Sequence, residues 1–446
     1  MRRIGIQRSR FDPHHVALAL ALLVGLVLRL AVVWRANSQT PNSTSRLFGD
    51  ESDYNDRALG LLDGVWFNWP TRMPLYPAFV AAVHWLSGSS YDTLLYVQAV
   101  GGVATIWLTY RLGRKLFDRT VGVVAAWGAA LHWTLVMQST HVLSEVLFTP
   151  LLLVFVLALI DAVQTPSVRR FVVAGALLAL TTYVRPATAA FPLALVCLLL
   201  LLRWGWRRAA RYAAVFAATT WLLLVPWTVH NAIQYDTFLP LTTNIATLWQ
   251  GSPEYYDLYE DGRTYLSIWQ VELNAERNGG YLPGSIEGDR HFNDRAIDSI
   301  RDRPVTYAWY STQKAVWLWI GHPSADWYNA KLFNPWNLHQ YWPWWEVMAI
   351  MAARVVPLTA AVSVILLWRE RRRLAPVYSV LVYFTVVYAL TWADLRYSDP
   401  TAPMLLVIVG GAVVPLLRRW VLPTVAERRV ASQRPVTPTW SSSGHV

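Results

Sequence analysis

Apolar runs long enough to cross a hydrocarbon layer as helix, roughly 20 residues each, recur along this chain and alternate with clusters of arginine. A single water-soluble core with a polar skin is excluded, because 54% of the residues are hydrophobic and only 15% are charged. The spanning-length criterion predicts ten transmembrane helices, at 14–34, 92–110, 120–138, 145–163, 170–185, 187–202, 212–229, 346–368, 375–392 and 401–417. The basic residues orient them, since short loops rich in arginine and lysine stay on the cytoplasmic side. These clusters are Arg2, Arg3, Arg8 and Arg10; Arg111, Arg114, Lys115 and Arg119; Arg169 and Arg170; Arg203, Arg207, Arg208 and Arg211; Arg369, Arg371, Arg372 and Arg373; and Arg418 and Arg419. With ten spans all of them fall on one face. Both termini are then cytoplasmic, and a multi-pass protein of a bacterial-type plasma membrane is expected.

The formal charge of +11 sits at membrane borders and not on a continuous face, so anionic lipid headgroups are the expected neighbours and nucleic acid is not. The basic start and first apolar run are laid out like a signal peptide. Trp34-Arg35-Ala36-Asn37 is a poor small-x-small cleavage site, which favours a retained first span. Cys197 is the only cysteine, which excludes an internal disulfide. Four regions are expected: an N-terminal membrane module over 1–229 that includes an outward loop at 35–91, a larger outward loop domain over 230–345, C-terminal spans over 346–423, and a disordered cytoplasmic tail over 424–446. Trp317, Trp319, Trp336, Trp342, Trp344 and Trp345 are expected in an interfacial belt.

The strongest local signal is Gly49-Asp50-Glu51-Ser52-Asp53-Tyr54 in the first outward loop, followed by Arg72-Met73-Pro74-Leu75-Tyr76-Pro77. Two readings are open for the carboxylates: chemistry, or charging of a helix start, where the helix dipole favours acids. Arg185 at the outward end of the fifth span is either a functional cation or a side chain snorkelling from an apolar helix. Glu145 either caps the fourth span or belongs to a site. His141 and His230 are metal-ligand candidates with Asp50 and Glu145, against the plainer role of hydrogen-bonded interfacial histidines. Tyr54 and Tyr397 are divided between packing and substrate contact.

The ordered set of landmarks resembles GT-C-type membrane glycosyltransferases. Its nearest likeness there is glycosyltransferase family 39, which includes protein O-mannosyltransferases and lipid A aminoarabinose transferases. Asp50-Glu51-x-x-Tyr54 and Arg72-x-Pro74-x-Tyr76-Pro77 look like the family's first loop. Leu143-Ser144-Glu145, Val184-Arg185-Pro186, Pro226-Trp227-x-x-x-Asn231, Phe238 to Asn244, Leu248 to Gly251, and Leu395-Arg396-Tyr397-x-x-Pro400-x-x-Pro403 follow in the family's order over about 20–405. One departure is Thr71 before Arg72, where the aminoarabinose enzymes usually carry an acidic residue. The loop at 252–345 matches nothing in the family.

The resemblance implies an all-α, GT-C-like bundle with juxtamembrane helices in the first outward loop. It also implies an inverting transfer of a sugar from a polyprenyl-phosphate donor lipid to a glycan, lipid or protein acceptor on the outer face. In that reading Asp50 and Glu51 are catalytic, Asp50 as the base. Tyr54, Arg72, Tyr76, Glu145, Arg185, Arg396 and Tyr397 bind substrate, the arginines by bidentate contact with phosphate. A divalent metal ion is an open alternative on Asp50, Glu145, His141 and His230, and no other cofactor is implied. A lipid or sugar flippase is the competing class.

Overall fold

The computed structural model describes residues 12–39, 47, 49–243, 246–260, 265–277, 280–282, 284–321 and 344–432. Asn244, Trp336, Trp342 and the tail beyond 432 lie outside that set, as do the side chains of Trp344 and Trp345. Each expected span coincides with helix: Pro13–Gln39, Tyr91–Leu116, Arg119–Leu131 with Trp133–Met137, Glu145–Gln164, Val168–Thr182, Phe191–Leu201, Trp206–Tyr235, Trp344–Leu366, Arg371–Leu390 and Ala402–Ser432. Among the described residues six helices are long and apolar enough to cross a membrane, and a bent pair brings the number to seven. Val168–Thr182 and Phe191–Leu201 are shorter than a bilayer requires at 1.5 Å per residue. Local chemistry sets several helix starts: the Ser90, Asp118 and Ser167 side chains accept from Thr93 N, Val121 N and Arg170 N.

The third expected span is not one straight helix. It breaks at His132 and turns by 58°. The break coincides with a buried polar chain, in which the Thr134 hydroxyl lies 3.0 Å from His132 Nδ1 and donates to Asp399 at 3.2 Å. Asp399 in turn pairs with Arg354 at 3.1 Å. That partner accounts for Arg354, a cation within an apolar helix, because a charge at membrane depth requires a counter-ion.

Between the long helices Trp206–Tyr235 and Trp344–Leu366 the described residues form five shorter ones, Thr247–Gln250, Pro253–Glu260, Tyr265–Arg277, Ile286–Asp302 and Pro304–Ile320. They have their own small core of Ala246, Trp249, Tyr255, Ile268, Phe292 and Ala296. Arg295 stacks over Trp249 at 4.6 Å and pairs with Glu254 and Glu272, which offsets the charge it brings to that core. Of the tryptophans expected at an interface, Trp317 stacks on Tyr256 at 5.9 Å and Trp319 donates to Thr385 at 3.2 Å, both half-buried.

Candidate active site

The first loop forms the helix Asp50–Leu62, entered through Gly49 at φ 59°, a left-handed value that glycine adopts without steric cost. Asp50, Glu51 and Asp53 charge its first turn. Asp50 also leaves the helix: one carboxylate oxygen accepts from Arg72 and the other from Arg396, each at 2.5 Å. Arg72 Nε donates to Asp53 at 2.6 Å, and Arg57 holds the other Asp53 oxygen at 2.5 Å. Arg396 sits in the one-turn helix Leu395–Ser398, which Asp394 caps by accepting from Arg396 N at 2.9 Å. Its Nε lies 3.5 Å from Glu145, which pairs with Arg185 at 2.9 Å. Carboxylates and guanidiniums therefore alternate from Asp53 through Arg72, Asp50, Arg396 and Glu145 to Arg185. Burial would raise the Asp50 carboxyl, but the Arg72 and Arg396 guanidiniums outweigh it and hold that group well below the usual carboxylate range.

Arg72, Asp50, Arg396, Glu145 and Arg185 of this series line a cavity of about 560 Å³. Of the sequence-predicted residues, Asp50, Tyr54, Arg72, Glu145, Arg185, Arg396 and Tyr397 line it. Arg72 lies over the Tyr54 ring at 4.9 Å and Arg185 over Tyr397 at 5.2 Å, so each tyrosine orients a cation. Glu51, Tyr76, His141 and His230 are not among the lining residues.

Glu51 turns into the protein, where one oxygen accepts from Val142 N at 2.9 Å and lies 3.1 Å from His141 Nδ1. Tyr76 is fully buried and donates to Gln98 at 2.6 Å, and Gln98 donates to the His141 carbonyl at 3.0 Å. Together they form a brace behind Asp50. His230 stacks on Trp227 at 5.1 Å with its Nε2 3.1 Å from the Phe67 carbonyl. Among the described residues no three His, Cys, Asp or Glu side chains gather as a metal-ligand set. Both Asp50 oxygens and Glu145 Oε1 are engaged by guanidiniums, and His141 and His230 lie off the cavity, so the four candidate ligands do not gather around one point in this arrangement.

Sequence reasoning missed several lining residues of the cavity, among them Thr247, Gln250, Trp269, Thr391 and Trp392. Gln250 was visible only as part of the Leu248 to Gly251 landmark, and Trp269 carries no motif at all.

The sequence profile of the dolichyl-phosphate-mannose-protein mannosyltransferases matches residues 70–230. Among solved structures, the Archaeoglobus fulgidus oligosaccharyltransferase in the apo form matches with a TM-score of 0.56 at 15% identity, over 95% of this chain and 53% of its own. The same organism's AglB in complex with an inhibitory peptide and a dolichol-phosphate matches with a TM-score of 0.56 at 14% identity, over 95% and 52%. ArnT from Cupriavidus metallidurans bound to undecaprenyl phosphate gives a TM-score of 0.41 at 17% identity, over 95% and 81%. The chain spans about half the length of the oligosaccharyltransferase it matches. No curated protein matches the sequence. Fold and profile make this all-α, multi-pass chain similar to membrane proteins of the GT-C type, the profile match being confined to residues 70–230. Within that class it is similar to glycosyltransferase family 39.

Proposed function

We propose that this protein is an inverting glycosyltransferase that moves a sugar from a polyprenyl-phosphate donor to an acceptor hydroxyl on the outer face of the membrane. The observation that carries the reading is the alternating chain from Arg72 to Arg185 along one cavity. Three guanidiniums converge there, and a planar two-pronged donor suits a phosphate. The profile match and the dolichol-phosphate in the AglB structure support a lipid-phosphate donor.

A lipid-linked sugar has its scissile bond at headgroup level, where helix ends carry Asp50, Glu145, Arg185 and Arg396. An arriving phosphate competes with Asp50 for Arg72 and Arg396. Losing those partners restores basicity to a carboxylate that the guanidiniums otherwise hold too low to take a proton effectively. The acceptor oxygen then bonds to the anomeric carbon from the face opposite the phosphate, and its proton passes to Asp50. The bond between that carbon and the phosphate oxygen breaks, and the electron pair leaves on polyprenyl phosphate, stabilised by Arg72, Arg185 and Arg396. Attack from the opposite face inverts the configuration. Glu51 acts in this scheme by holding the start of the helix Asp50–Leu62 against Val142 and His141.

Radiolabelled lipid-linked sugar incubated with purified protein tests the reading. Covalent transfer of label to an acceptor is the expected result; movement of intact lipid between leaflets without transfer would identify the competing flippase.

A further inference from the structure

Glu145 also lines a second, much smaller cavity, whose other walls include Arg29, Gly102, Gln138 and Thr149. Arg29 is a costly residue to place there. It belongs to the membrane-spanning helix Pro13–Gln39, it is fully buried, and it has no ion-pair partner among the described residues. A charge so placed works against folding, and charges at membrane depth are usually functional. We infer that the small cavity holds one water molecule bonded to Arg29, and that Arg29 is a positioning residue for the Glu145–Arg185 pair. The positioning role rests on the proposed function above.

The two terminal nitrogens of Arg29 are taken by backbone: Nη1 donates to the Gly25 carbonyl at 3.0 Å and Nη2 to the Leu135 carbonyl at 3.4 Å. Its Nε is buried without a partner, and so is Nε2 of Gln138. A buried donor left unbonded is costly, and one water oxygen accepts from two donors at once. The cavity leaves about 10 Å³ for the centre of a water-sized sphere, which is the room one water molecule needs. That water has hydrogens of its own to give. The Thr149 hydroxyl donates its hydrogen to the Glu145 carbonyl at 2.8 Å, so its oxygen is left to accept. The line then runs from Arg29 Nε through the water and the Thr149 hydroxyl to the backbone of Glu145.

The segment that Arg29 grips is the one that builds the site. From Leu135 the chain passes Gln138, then His141 and Val142, which hold Glu51, and reaches Glu145. Glu145 in turn meets Arg185 at 2.9 Å and Arg396 at 3.5 Å. Loosening Leu135 and Gln138 therefore loosens two of the guanidiniums assigned above to phosphate. Gly102 makes room for the arrangement, since a Cβ there would stand 2.8 Å from Arg29 Nε.

The test compares the full-length wild type with Arg29→Met, Thr149→Val and the double variant in detergent, by unfolding midpoint and by equilibrium binding of polyprenyl phosphate. Arg29→Met removes a buried charge that has no counter-ion, so the midpoint should hold or rise while lipid affinity falls roughly tenfold. Thr149→Val should weaken binding by a smaller factor. The double variant should bind no worse than Arg29→Met, because both changes break one line. A lower midpoint with unchanged affinity in Arg29→Met marks a merely structural arginine and overturns the inference. Additive losses in the double variant overturn it too, as does a wild-type density map that shows ordered waters elsewhere and none between Arg29 and Gln138. Should Arg29→Met not fold, Thr149→Val decides alone, and unchanged affinity there counts against the role. Wild-type protein that binds no polyprenyl phosphate overturns the donor reading and the positioning role with it, while the map still decides the water.

Discussion

Arg396 and Asp50 stand 346 positions apart in the chain and meet at 2.5 Å. Their contact joins the first loop to the opening of the last span. Arg72 holds the other Asp50 oxygen, so the carboxylate is fixed from two directions before any substrate arrives.

Removing the base without removing its shape is the first test of that arrangement. Asp50→Asn keeps size and a hydrogen-bonding oxygen but does not accept a proton, and turnover is expected to fall by roughly 10²-fold or more. Donor affinity should hold or improve, since neither Arg72 nor Arg396 is then competed for by a carboxylate. Steady-state transfer rates measured beside equilibrium donor binding check this. Near-normal turnover in a folded variant would remove Asp50 from the mechanism.

Glu145 and Arg185 should behave as an interdependent pair. The Glu145 side chain is 2% exposed and that of Arg185 14%, so truncating one partner leaves a buried charge, at a typical cost of about 3–5 kcal/mol. Glu145→Leu should lower the unfolding midpoint in detergent, and adding Arg185→Met should recover much of the loss without restoring donor binding. Recovery of both properties in the double variant would mean that Arg185 has no part in holding phosphate.

The brace behind Asp50 should give a pH signature. Burial works against protonation of His141, but Glu51 beside it prevails and raises the histidine above its ordinary value. A raised histidine contributes stability that is full below its unfolded value of about 6.5 and is lost as pH rises through the folded value. The difference in unfolding midpoint between wild type and His141→Gln should therefore be largest in mild acid and shrink towards alkaline pH. A difference that grows with pH would contradict the pairing.

Orientation is open to direct measurement. Reporter tags at Thr165 and Gly205 should read as cytoplasmic, and tags at Ser90 and Asp298 as external, as the one-sided arginine clusters require. A cytoplasmic signal from Asp298 would invert the molecule and carry the proposed site to the wrong side.

Hydropathy located helix at every expected span because burying apolar length in lipid overrides local propensity. It did not reveal the bend at His132, which coincides with side-chain contacts to a residue more than 250 positions later. Asp50, Arg72, Glu145, Arg185 and Arg396 were legible one at a time, since a charge beside an apolar span is expensive and stands out. Their pairing was not, because sequence carries no distances. Glu51 reads like Asp50 as a letter, yet neighbours on a helix point about 100° apart, and only Asp50 faces the cavity. Gln250 and Trp269 stayed hidden for the opposite reason: an uncharged residue in a polar loop violates no rule.

The buried pairing of Arg354 with Asp399 also bears on how the molecule is assembled. A ribosome makes Arg354 first, and the carboxylate it pairs with arrives 45 positions later. In between, the helix Trp344–Leu366 holds a guanidinium that lipid does not solvate. That helix gains a settled place in the bilayer when the segment bearing Asp399 docks beside it, so the two late helices mature as a unit, and a nascent chain stopped between them would be a substrate for quality control.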